Sequence, residues 1–175
     1  MKIKLVLFYF LANMIAGMEI QISIDKQELK VVHDEKIVKT YIISSSSYGE
    51  GSAEGSFKTP LGEHFIKKKI GDGVELGGRF EGRVFYGEIY PIYKKDEVYV
   101  DDDVVQTRIL WLSGLDEGKN KGKGVDSFER YIYIHGTPEE WLLGTKASKG
   151  CIRMANKDVI ELFDIVEENT KVIIK

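Results

Sequence analysis

The chain reads as one mostly-β domain with a single docked helix near its C-terminus. Three observations lead there. From Glu19 onward, apolar residues alternate with polar ones or gather in short β-branched and aromatic runs, which is the period of strands. Only the stretch after Asn156 spaces its apolar residues for a helix of several turns. The 175 residues suit one domain, with no repeat or linker to divide them. A composition of 43% hydrophobic and 30% charged residues is that of an ordinary globular protein. Lys and Arg number 25 against 28 Asp and Glu, so the net charge of −3 argues against a nucleic-acid partner. One cysteine allows neither an internal disulfide nor a multi-cysteine metal site.

The N-terminus carries Lys2 and Lys4, an apolar run from Leu5 to Ala12, and small residues at Ala16 and Gly17. That pattern predicts a secretory leader over residues 1–18, with the cleavage point open, and a domain over 19–175. The run is shorter than the roughly 20 residues of a membrane-spanning helix. Its expected consequences are a periplasmic or secreted location and at most transient membrane association through the leader. An unpaired thiol in an oxidising compartment is unusual, which draws attention to Cys151.

The elements follow in order. Ile20, Ile22 and Ile24 alternate with polar residues and predict a first strand, closed by the polar turn at Asp25. Leu29 to His33 and Ile37 to Ser44 form a hairpin about Asp34-Glu35-Lys36. A small polar loop runs to Gly55. Lys58-Thr59-Pro60-Leu61-Gly62 is a turn with φ preset at Pro60, and a strand leaves it through Phe65 and Ile66. The glycines at 71, 73, 77 and 78 read as connectors. Val84 to Tyr93 is β-like, with Pro91 at a strand end. Asp101-Asp102-Asp103 lacks the pattern of a calcium loop and reads as a solvated turn. Arg108 to Leu112 is a strand. Residues 114–126, rich in Gly and Lys, read as a mobile solvated loop. Tyr131-Ile132-Tyr133-Ile134 is a strand that delivers His135-Gly136, and Pro138 to Leu143 forms a helical turn capped by Thr137. The long helix begins near Asn156, a good cap residue, and sets Val159, Ile160, Leu162, Phe163 and Val166 on one apolar face; Asn169 can stop it. Lys171 to Lys175 is a closing strand. His33, His64 and Trp111 read as structural residues, whereas Trp141 and Tyr133 read equally as core packing or as a groove lining.

The chemistry concentrates in His135-Gly136 and Ala147-Ser148-Lys149-Gly150-Cys151-Ile152-Arg153. A cysteine nucleophile needs a neighbouring imidazole and donors for an oxyanion. Gly150 permits a tight turn just before the thiol. Lys149 and Arg153 are cations expected to lower the thiol pKa and to hold a negative substrate group.

These residues resemble the signature of the L,D-transpeptidase catalytic domain (YkuD-like): His-Gly, a gap, then Ser/Thr-His-Gly-Cys, an apolar residue and Asn or Arg. The matching residues are His135, Gly136, Ser148, Gly150, Cys151, Ile152 and Arg153, with Cys151 sixteen residues after His135. The Thr59-Pro60-Leu61-Gly62 turn is similar to one found early in that domain. The resemblance implies a β-sandwich-like fold and action on peptidoglycan stem peptides, without metal or organic cofactor. Cys151 would attack the carbonyl next to the terminal D-alanine, and His135 would serve as base, oriented by the Gly136 carbonyl. The N–H groups of Gly150 and Cys151 would hold the oxyanion, and Arg153 would meet a substrate carboxylate. Ser148, Lys149 and Tyr133 complete the expected binding set. The acyl group would pass to an amine, or to water in an L,D-carboxypeptidase. One departure stands out: Lys149 occupies the position where the family usually has His, and a fixed charge cannot act as a neutral imidazole. That departure also leaves open a wall-binding domain without chemistry. Oligomeric state and acceptor are not legible.

Overall fold

The computed structural model describes residues 17–100 and 103–175. The expected leader lies outside the described residues save Gly17 and Met18, and Met18 already opens the first strand. Ten strands appear in chain order: β1 (Met18–Ser23), β2 (Glu28–His33), β3 (Lys36–Ser44), β4 (Gly62–Ile70), β5 (Gly78–Glu81), β6 (Val84–Ile89), β7 (Val105–Gly114), β8 (Tyr133–Gly136), β9 (Ile152–Met154) and β10 (Lys171–Ile174). A 3-10 turn spans Glu140–Leu142, and helix α1 spans Asn156–Ile165.

The strands form one sheet in the order β4-β10-β1-β2-β3-β9-β8-β7, which closes on itself because β4 also pairs with β7. The expected mostly-β domain with one docked helix is what forms, and its sheet is a closed barrel-like layer. Most neighbours are antiparallel, whereas β1–β10 and β8–β9 are parallel. The β5–β6 hairpin hangs from the start of β7, so β7 carries β5 and then β4 along one edge. The ladder shifts register between Gln106 and Ile109, where Thr107 takes a φ of +68°. Such a bulge bends the strand and lets it leave one partner for another.

Side-chain alternation sorts β7, β8 and β9 into two faces. Leu110, Leu112, Ile134, Ile152 and Met154 face the main core with Ile20, Ile22, Leu29, Ile43 and Ile66. Ile109, Trp111 and Tyr133 face the opposite way, into a smaller cluster with Phe80 and Phe85 of the hairpin and with Cys151. Helix α1 packs on β7 and β8 through Val159, Leu162 and Phe163. Burying each such side chain contributes about 1.5–3 kcal/mol.

Several local expectations change. The stretch around Gly77-Gly78 is not merely a connector, because Gly78 starts β5; a Cβ there would lie 2.4 Å from Val74 and 3.1 Å from the Glu75 carbonyl. Loop 114–126 is not merely solvated. It folds around the fully buried Asn120, whose amide donates to the carbonyls of Leu61 and Glu63, each at 3.0 Å. Asn156 is the first helical residue rather than the cap. Ala155 holds the cap position without a side-chain bond, and the Glu140 carboxylate accepts from the Asn156 N–H at 2.7 Å. At the other end Lys69 of β4 donates to the carbonyls of Phe163 and Val166, both at 2.6 Å, satisfying groups the helix leaves open. Asn169, with φ of +72°, lies in the turn after the helix.

Candidate active site

Parallel pairing of β8 with β9 builds the site. Ile134 faces Ile152, and His135 faces Arg153. Period-two alternation therefore puts Tyr133, His135, Cys151 and Arg153 on one face, opposite the main core. Cys151 immediately precedes β9 and sits beside Tyr133, whose N–H donates to Sγ at 3.4 Å. The thiol itself donates to the Tyr131 carbonyl at 3.4 Å. His135 lies one two-residue step further along the same face, roughly 7 Å along the strand. Cys151 is half-buried as a residue.

His135 is fully buried. Its Nδ1 is 2.8 Å from the Gly136 carbonyl. A carbonyl only accepts, so this bond places the proton on Nδ1 and the lone pair on Nε2. Nε2 is buried and has no hydrogen-bond partner among the described residues. Burial holds the imidazole below its ordinary pKa, against the opposing pull of Asp103 and the Gly136 carbonyl, and therefore neutral. Gly136 must be glycine: a Cβ there would sit 2.3 Å from Asn156 Oδ1 and 2.9 Å from the Gln106 carbonyl. Asn156 anchors the same turn, donating to the Thr137 carbonyl at 2.7 Å.

The turn that carries Cys151 is stapled from two sides. Ser148, fully buried, donates from Oγ to the Cys151 carbonyl at 2.6 Å and accepts from the Gly150 N–H at 3.2 Å. Thr59 of the early Thr-Pro turn donates to the Gly150 carbonyl at 3.0 Å and accepts from the Ser46 N–H at 3.1 Å. Gly150 has a φ of +125°, a conformation that side-chain-bearing residues avoid. The Gly150 N–H is thus engaged by Ser148, and it reaches an oxyanion only by exchanging partners.

Two electrostatic expectations are corrected. Arg153 does not face open solvent to await a carboxylate. Its side chain is 5% exposed and is clamped between Asp103, at 2.6 Å, and Glu139, at 2.7 Å. Nor do the cations bring the thiol below its ordinary pKa. Burial pushes the Cys151 thiol up, Asp103 adds to this, and the Tyr133 N–H, Arg153 and Arg130 only partly oppose it. Asp103 is correspondingly not part of a solvated turn. Its second oxygen accepts from the Lys149 N–H at 3.1 Å. Burial opposes its ionisation, but Arg153, His135 and that N–H hold its carboxyl below the usual range.

Beyond this face, Asp103, Glu139, Lys149 and Arg153 line a pocket of about 330 Å³ with Tyr99 and Leu142. Trp141 stacks edge-on with Tyr99 and donates to the Val98 carbonyl at 3.1 Å, pinning the segment that covers the pocket. Tyr133 is buried edge-on against Trp111, and its hydroxyl accepts from Arg83 at 3.2 Å. His33 lies on β2, away from this face, 3.6 Å from Asp34. His64 is buried on β4 against Ser127 Oγ, at 2.9 Å. Neither joins the site. Asp103, Glu139, Arg83 and Arg130 do, and none of them carried a signal in the linear motif; Thr59 joins as well, from the early Thr-Pro turn that the sequence marked. No group of three metal-ligating side chains assembles among the described residues.

Comparison with known proteins fits this geometry. A family model described as the L,D-transpeptidase catalytic domain, YkuD, matches residues 17–174. A relative from Bacillus subtilis, putative L,D-transpeptidase YkuD, is 58% identical over 46 residues, which is 26% of this chain and 28% of that protein. Putative L,D-transpeptidase YqjB of the same organism is 28% identical over 153 residues, covering 84% of this chain and 65% of the relative. Among solved structures, L,D-transpeptidase 3 of Mycobacterium tuberculosis with a faropenem-derived adduct superposes at a TM-score of 0.56 and 16% identity, covering 91% of this chain and 60% of that one. An L,D-transpeptidase from Xylanimonas cellulosilytica gives 0.52 and 19% over 91% of this chain and 60% of that chain. These two structures bear on the fold alone, and the chain spans less than two thirds of each of these four proteins.

Proposed function

The chain belongs to the L,D-transpeptidase catalytic-domain family, and from that premise we propose that it remodels peptidoglycan through a covalent thioester on Cys151. The observation that supports this best is the neutral His135, with its bare Nε2 buried, unpartnered and on the same sheet face as the Cys151 sulfur. Both groups rest uncharged, because burial raises the thiol pKa and lowers that of the imidazole. Proton transfer from Sγ to Nε2 therefore accompanies attack on the stem-peptide carbonyl instead of preceding it. The imidazolium so formed is stabilised by Asp103 and by the Gly136 carbonyl, both of which favour the protonated ring. Collapse of the tetrahedral intermediate breaks the C–N bond, and the same proton passes to the departing D-alanine nitrogen. The Cys151 N–H serves the oxyanion, joined by Gly150 when Ser148 releases it.

An amine of a second stem then takes the acyl group. Water is the alternative acceptor, and the Lys149 departure is the reason to keep it. The reaction would take place in the cell envelope, where its substrate lies. Incubation with stem tetrapeptides and mass analysis of the products separates the outcomes: cross-linked dimers mean transfer, free tripeptide means hydrolysis. Neither product in the wild-type reaction, or either one with Cys151→Ala, sinks the proposal.

A further inference from the structure

With Arg153 consumed by two carboxylates, a different pair of cations, Arg83 and Arg130, both half-buried, lies around Tyr131 beside the nucleophile. Among the described residues the arginine ion pairs involve Arg79 and Arg153, but neither Arg83 nor Arg130. Arg83 sits on the β5–β6 turn. Its guanidinium lies 4.9 Å from the Trp111 ring and 4.8 Å from the Tyr131 ring, and it donates to Tyr133 Oη at 3.2 Å. Arg130 donates to the Lys58 carbonyl at 2.7 Å, the Gly51 carbonyl at 3.3 Å and Ser56 Oγ at 3.5 Å, all neutral acceptors. Both guanidiniums are held in place, and each keeps N–H groups to spare out of five.

Their position matters as much as their charge. Arg130 precedes Tyr131 in the chain, Arg83 stacks on the Tyr131 ring, and the Tyr131 carbonyl accepts from the Cys151 thiol at 3.4 Å. The two cations thus bracket Tyr131, the residue whose carbonyl holds the sulfur. Arg130 and Cys151 feel each other's charge in this arrangement.

We propose that Arg83 and Arg130 bind the free C-terminal carboxylate of the residue the enzyme releases, and so restrict cleavage to the last peptide bond of the stem. This rests on the acyl-transfer reading above. In that reaction the Sγ–C bond forms and the C–N bond breaks. The thiol proton moves through His135 Nε2 to the departing nitrogen, and the carboxylate two bonds beyond that nitrogen stays ionised throughout. A planar guanidinium matches a carboxylate through paired N–H donors. An internal residue or an amidated terminus offers no such charge.

Two assays test it. The first needs no peptide chemistry. Cys151 is the chain's one cysteine, so its alkylation by anionic iodoacetate and by neutral iodoacetamide can be compared directly. The iodoacetate-to-iodoacetamide rate ratio should exceed that of N-acetylcysteinamide and fall several-fold in Arg83→Gln and in Arg130→Gln. Arg83→Gln suffices should the Arg130 variant not fold. The second compares stem tetrapeptides ending in a free acid or an amide. The wild type should prefer the acid by roughly ten- to a hundredfold in kcat/KM, the range of one charged hydrogen bond, and Arg83→Gln should erase most of that preference. An alkylation ratio unchanged in the variants overturns the anion site. A ratio that falls, in an enzyme inert toward every stem peptide, keeps the anion site and overturns the acyl-transfer reading instead.

Discussion

Asp103 and Cys151 are tied by charge although they lie 48 positions apart. The carboxylate raises the thiol pKa and at the same time favours protonated His135. Removing its charge should therefore move the thiol titration to lower pH. In Asp103→Asn, the midpoint of iodoacetamide reactivity against pH is expected to fall, and a midpoint that rises or stays fixed would contradict the electrostatic account. His135→Gln should lower turnover by roughly 10²–10⁴-fold, the usual value of one positioned base, while leaving the fold intact. At this scale the linear motif singled out Cys151, His135 and Gly136, which the β8–β9 pairing brings together, because the proposed nucleophile and base and a glycine with no room for a Cβ leave marks in sequence. It misled on Arg153. Its two partners lie 50 and 14 residues away, and nothing local shows that a surface-looking arginine will be clamped between them.

Among the elements, the Thr-Pro turn and the nucleophile turn act as one unit. Thr59→Val keeps the volume but leaves the Gly150 carbonyl and the Ser46 N–H without their partner. It should cost about 1–3 kcal/mol of stability and lower kcat more than it raises KM, as read from denaturant titration and steady-state kinetics. His64 gives β4 a pH dependence of its own. Burial pushes its pKa down to about 4, from an ordinary value near 6.5. The folded state then binds the proton more weakly than the unfolded chain. The stability present above pH 6.5 is lost as pH falls toward 4, by about 3 kcal/mol at about 1.4 kcal/mol per unit. His64→Gln should flatten the melting temperature between pH 7 and 4 relative to the wild type. Most strands and the helix were legible from periodicity, since burial on one face imposes it. Strand β5 was not: it is four residues long and begins at a glycine chosen for close packing against Val74 and Phe85. Nor was the order of loop 114–126, which depends on one asparagine bonding to a turn some 60 residues earlier.

For the molecule as a whole, closure of the sheet through β4 and β7 is the organising fact. Strands β7, β8 and β9 have the main core on one side and the site on the other, so the reactive face rests on the best-buried part of the protein. A ring has no independent half to lose first. Denaturation followed by Trp111 fluorescence, far-ultraviolet dichroism and exposure of the Cys151 thiol should trace one coincident transition. Leu162→Ala, at the contact of α1 with the core, should shift all three together by about 2–5 kcal/mol. A thiol exposed well before the other signals would mean that the site unfolds by itself.

The most direct measurement is the intact mass of the protein, quenched seconds after mixing with a stem tetrapeptide. The wild type should carry one added tripeptidyl group, the tetrapeptide less its final alanine, removable by hydroxylamine and missing in the Cys151→Ala protein. A mass that never changes under turnover, or an adduct that survives without the sulfur, would contradict the thioester at the centre of this account.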